Sequence, residues 1–209
     1  MDIGIIAGGL SLIAFGVYIY NIIFGQTRPS RSSWWIISVV WIVLLLSSLS
    51  LSPGETWIEK WNTLPANWIS LVYIVASLVI AILSIKKGSG EKWEFFDYCC
   101  AVLAVISLVF YIGFHAPLLS LVTALLADFF GILPTVKNAW RYPRNEHFFA
   151  WLLEVVASIL TLSLVTNWTL TQEGFAQWGS PSYLTIMNGL ITLCIMRRFF
   201  YKRVQNQKS

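Results

Sequence analysis

The chain has 209 residues, 57% hydrophobic and only 11% charged, with a mean hydropathy of +0.70. A soluble domain carries about 25% charged residues, so the composition excludes a soluble globular enzyme and leaves no room for a separate soluble domain. The net charge of +4 comes from basic residues in short loops, which argues against a nucleic-acid partner and for the lipid bilayer.

A membrane helix needs about 20 mostly apolar residues. Seven stretches qualify, over 3–24, 33–51, 66–85, 98–114, 117–136, 147–165 and 181–200, and they predict an all-α polytopic membrane protein. Arg28, Arg31, Lys86, Lys87, Lys92, Lys137, Arg141, Arg144 and the tail lie on one side of such a seven-span chain. Of the 14 Lys and Arg, only Lys60 lies on the other. Basic loops stay in the cytoplasm, which predicts an N-terminus outside and a cytoplasmic C-terminus.

The chain also resembles itself. With Pro29 placed over Pro143, Tyr20-Asn21 lies over Pro134-Thr135 and Trp34-Trp35 over Phe148-Phe149. The third and seventh stretches both begin near a proline, Pro65 and Pro181. This predicts parallel repeats, with a binding site between them near mid-membrane. The expected organisation is a first triple-helix bundle over 1–85, a loop and linker helix over 86–115, a second bundle over 116–203 and a tail over 204–209.

The stretch from Asp128 to Trp151 carries the sharpest functional signal. Asp128 interrupts an apolar run, and Gly131, Pro134 and Thr135 follow within two turns. An acid within a membrane helix is costly, so it usually faces a cavity or a partner. Glu154, in the next stretch, is the second such acid, and the pair is read as a proton-coupling or cation-flanking site. Pro134 removes a backbone donor, and with Gly131 it reads as a hinge. Tyr20 is the matching hinge position of the first repeat. Asn188 and Tyr73 are candidate hydrogen-bonding groups for a solute. Trp41 and Trp151 are candidate stacking surfaces, and Asn21 is a further polar candidate. The blander reading of each is interhelical packing or hydrogen bonding.

A helix, a Pro-polar pair near its cytoplasmic end, a basic turn and a further helix resemble the PQ-loop signature. The pairs that carry it are Pro134-Thr135 and, more weakly, Tyr20-Asn21; neither is Pro-Gln. A three-plus-one-plus-three arrangement with the N-terminus outside is similar to transporters of the SWEET type. The loop 27–34 and the turn after Leu133-Pro134 also resemble those of small bacterial membrane proteins, which implies a bacterial inner membrane. The resemblance implies a transporter of a small polar solute working by alternating access, and a homo-oligomer.

A seven-helix sensor or an accessory subunit of a membrane complex fits the compact chain. A retinal protein is disfavoured, because Lys202 and Lys208 lie past the last apolar stretch. An enzyme is disfavoured too. His115 and His147 fall on opposite sides, so they cannot share a metal. Cys99, Cys100 and Cys194 have no metal or redox spacing and read as apolar fillers. No cofactor is expected.

Overall fold

The computed structural model describes residues 3–25, 29, 31–88, 93–143 and 146–206, apart from the side chains of 31, 32 and 198–206. Arg28, Lys92, Arg144 and Lys208 lie outside the described residues, as do the side chains of Arg31, Arg198, Lys202 and Arg203. Among the described residues the chain is all-helical and contains no strand.

The helices are α1 (Ile3–Ile23), α2 (Arg31–Leu51), α3 (Trp57–Thr63), α4 (Asn67–Lys87), α5 (Phe95–Leu108), α6 (Pro117–Arg141), α7 (Phe148–Leu162) and α8 (Gln172–Asn206). A single π turn, Val109–Gly113, continues α5. The chain then reverses at His115, whose φ of 48° lies in the left-handed region, and Pro117 opens α6 in the first turn, where its missing N–H costs nothing.

Five helical stretches are long and apolar enough to cross a membrane: Ile3–Ile23, Ser33–Leu51, Asn67–Lys87, Phe95–Gly113 and Pro117–Arg141. The apolar α7 is shorter, at 15 residues, and α8 runs for 35. Large apolar side chains point outward along these helices, among them Leu12, Ile82, Val105, Ile112 and Leu193. An apolar exterior of this kind belongs in lipid. The fold is that of an integral, multi-pass membrane protein.

Two features differ from the sequence reading. The short helix α3 lies between the second and third apolar stretches, where hydropathy predicts no helix. Thr56 caps it by accepting from the Glu59 N–H, and the Glu59 carboxylate accepts from the Glu55 N–H at 2.9 Å, close to a capping box. The Glu55 N–H, followed by the side chain and N–H of Thr56, holds the exposed Glu59 carboxyl below its usual pKa. The second difference is α8, expected to start at Pro181. It starts at Gln172 instead and carries Pro181 inside. The extra turns are pinned from the preceding loop. Gln177 Oε1 accepts from the Thr166 and Asn167 N–H groups, and Trp178 Nε1 donates to the Thr169 carbonyl.

Packing groups the helices into triplets. Helix α4 packs against both α1 and α2, while α1 and α2 make no extensive contact with each other. In the same way α8 packs against both α6 and α7, which are likewise apart. The triplets meet along α1–α7 and α2–α6. Helix α5 lies against α6 and α2, tied to α2 by Ser33 Oγ donating to Asp97 at 2.7 Å and by a Ser50–Tyr111 hydroxyl pair at 3.2 Å.

Small residues permit the closest approaches. A Cβ on Gly8 would sit 3.0 Å from the Trp68 Cβ, and one on Gly131 3.2 Å from the Cys100 sulfur. In lipid, helices associate through such tight contacts rather than through a hydrophobic driving force. Cys100 and Cys194 are buried free thiols. The main apolar cluster, around Val40, Leu44, Leu121, Ala124 and Leu184, fills the space where the triplets meet.

Candidate functional site

A cavity of about 130 Å³ lies between the two triplets. One water needs only about 10–15 Å³ of such space, so the cavity has room for a small solute. Its wall takes residues from α1, α2, α4, α6, α7 and α8. It reaches the surface at the exposed His147, beside Glu146 in the α6–α7 loop.

Asp128 and Glu154 both line it, and each is only 5% exposed. A buried carboxyl must find donors, and each finds its own. Asp128 on α6 accepts from the Tyr183 hydroxyl at 2.7 Å. Glu154 on α7 accepts from the Ser11 hydroxyl at 2.9 and 3.1 Å, one distance to each oxygen. It also accepts from the Tyr73 hydroxyl at 3.0 Å. Asn188 Nδ2 in turn donates to the Tyr73 oxygen at 3.3 Å. Among the described residues no hydrogen bond joins the two acids directly.

These bonds differ in what they span. Asp128–Tyr183 joins α6 to α8, inside one triplet. The chain Asn188–Tyr73–Glu154–Ser11 runs through α8, α4, α7 and α1, and so crosses between triplets. Tyr73 packs with two rings, Phe15 edge-on at 4.8 Å and Trp41 tilted at 4.3 Å between ring centroids.

At the mouth, Trp151 Nε1 donates to Glu146 Oε2 at 3.1 Å, and Asn138 reaches the other oxygen at 3.5 Å. Burial pushes the Glu146 carboxyl above its usual value, and these two bonds work against that rise. Tyr18 and Trp34 pair across the same end at 5.5 Å.

The candidates read from the sequence divide clearly. Asn188, Tyr73, Trp41, Trp151, Asp128, Glu154 and Gly131 line the cavity. Trp41 is 1% exposed, so its ring is packed on Tyr73 and offers a solute little free face. Asn21 and Tyr20 are not among the lining residues. Tyr20 is exposed and stacks on Phe24 at 4.3 Å, because its position near the end of α1 turns it away from the partner triplet. Pro134 is half-buried within the continuous helix α6, one residue from the lining Thr135.

Sequence reasoning missed Ser11 and gave Tyr183 no role. A serine in an apolar helix carries no distinguishing signal, and neither does a tyrosine two residues after Pro181 at the start of an apolar stretch. Among the described residues no group of three or more His, Cys, Asp or Glu is placed to hold a metal. No family model matches the chain, and neither does any curated protein or solved structure.

Proposed function

We propose that this protein transports a small polar solute across a membrane by rocking one helix triplet against the other. In this reading α1, α2, α4, α5, α6, α7 and α8 all span, the N-terminus is outside, and the C-terminus is cytoplasmic. The observation that carries the reading is the cavity between the triplets, with two buried acids on its wall. Acids are expensive inside a membrane and mark solute or ion pathways there.

The packing supports a repeat. Among the six helices of the triplets, exchanging α1 with α6, α2 with α7 and α4 with α8 leaves the pattern of helix contacts unchanged, while α5, against α6 and α2, has no counterpart. A site on the axis between parallel repeats is the arrangement expected of an alternating-access carrier. The cavity reaches the surface beside the basic α6–α7 turn, while the Val40–Leu44–Leu121–Ala124 cluster packs the region beyond it. In the proposed orientation this is the inward-open state.

Glu154 is the proton-coupling group with the greater consequence. Its bonds to Ser11 and Tyr73 hold the triplets together, and a change of its proton or partner would loosen them. Reconstitution into liposomes tests the reading. Asp128→Asn and Glu154→Gln should each cut solute uptake about tenfold or more at unchanged abundance. Wild-type uptake in both variants would overturn the assignment.

A further inference from the structure

The chemistry of the cavity wall narrows the solute class. We propose that the cavity takes an organic ammonium ion that carries no carboxylate of its own. This rests on the transport reading for its purpose, but the binding claim can be tested separately.

The first observation is how the donors are spent. Tyr183 donates to Asp128, Tyr73 to Glu154, Trp151 to Glu146 and Asn188 to Tyr73. Ser77 donates to the Ile74 carbonyl. Of these donors only the Asn188 amide keeps a second N–H, while the Asp128 and Glu154 oxygens have more lone pairs than the bonds described use. A sugar hydroxyl needs donors and acceptors together. An ammonium needs acceptors or a negative field.

The second observation is the ring content of the wall. Phe15, Tyr18, Trp34, Tyr73 and Trp151 all face the cavity. Aromatic faces attract a cation through the ring quadrupole, most strongly where water is excluded. Rings and buried carboxyls together suit an alkylammonium, whose methyl or methylene groups pack on rings while its charge sits near an acid.

The third observation separates an amine from an amino acid. Among the described residues that line the cavity there is no lysine or arginine. A guest carboxylate would face Asp128 and Glu154 with no lysine or arginine among the described residues of that wall to receive it.

The experiment is a tryptophan-fluorescence titration of the full chain in nanodiscs, since Trp34, Trp41 and Trp151 all line the site. The probes are tetramethylammonium chloride, sodium chloride at equal ionic strength, glucose and glycine. A saturable response to tetramethylammonium alone is expected. It should weaken about tenfold or more in Asp128→Asn or Glu154→Gln, with the unliganded melting temperature of each variant showing that it is folded. If one acid variant does not fold, Tyr73→Phe, which frees Glu154 of one donor, gives a second reading and should change the affinity. No tetramethylammonium response, an affinity unchanged in every folded variant, or a response to glucose or glycine instead would overturn the proposal.

Counterflow in proteoliposomes separates this claim from the transport reading. Tetramethylammonium binding without flux would leave the cation site standing and overturn transport. Glucose flux without tetramethylammonium binding would do the reverse.

Discussion

Ser11 on α1 donates to the Glu154 carboxyl on α7, at 2.9 and 3.1 Å to its two oxygens. The bond crosses the seam between the helix triplets, so it must break if the triplets rock apart. Side-chain hydrogen bonds in membrane bundles contribute about 0.6 kcal/mol on average and up to about 1.7. Ser11→Ala is expected to cost stability in that range. Tyr73→Phe removes the second donor to the same carboxyl, so the double variant should deviate from additivity. Thermal unfolding in detergent of the two single variants and the double variant checks this; strictly additive losses would mean that the two donors act independently.

Asp128 and Tyr183 lie within one triplet, 2.7 Å apart, and their bond can survive rocking. Tyr183→Phe should therefore lower stability while leaving solute exchange nearer to wild type than Tyr73→Phe does. Counterflow rates normalised to protein abundance measure the contrast. Equal losses in the two variants would count against the distinction between bonds within and between triplets.

Gly131 is read as a close-contact glycine. An added Cβ would meet the Cys100 sulfur at 3.2 Å and the Ile37 side chain at 3.5 Å. Overpacking of this kind costs about 1–3 kcal/mol. Gly131→Ala should lower the melting temperature, and Cys100→Ala should recover part of the loss by removing the sulfur. Were backbone flexibility at Gly131 the dominant factor, Cys100→Ala would rescue nothing.

Glu146 sits at the cavity mouth, outside the spanning helices, and burial raises its pKa in the folded chain. The folded state therefore holds its proton more tightly than the unfolded state. Its contribution to stability is present below the ordinary value of 4.5 and is lost as pH rises through the raised folded value. Glu146→Gln should remove that component. Melting temperatures of wild type and variant, compared from acidic to neutral pH, should converge at the acid end and show the variant relatively more stable at the neutral end. A constant difference across pH would refute it.

The local part of the fold was legible from the sequence. Apolar runs ended by prolines, basic turns or glycine locate helices because a backbone in lipid must satisfy its own hydrogen bonds, and that demand acts residue by residue. The same logic marked Asp128 and Glu154, since an acid in an apolar run is conspicuous whatever surrounds it. The Thr56–Glu59 cap of α3 was also there to be read. Hydropathy alone does not mark it, because a seven-residue helix has no apolar run.

The start of α8 and the lining of the cavity were decided by tertiary structure. Gln172–Gly179 is helical because Gln177 and Trp178 are held by the loop before them, a contact that propensity around Pro181 does not encode. Ser11 is the clearest case. Helical serines commonly donate to their own backbone one turn back, as Ser38, Ser50 and Ser158 do here. Nothing in the sequence separates Ser11 from them. Its partner is 143 residues away, and only the packing of α1 against α7 brings them together. The sequence by itself determined that this is a bundle of apolar helices with two costly acids inside. Which groups satisfy those acids, and that they wall one cavity, follows from helix packing, because a buried carboxyl takes whatever donor the neighbouring helix presents.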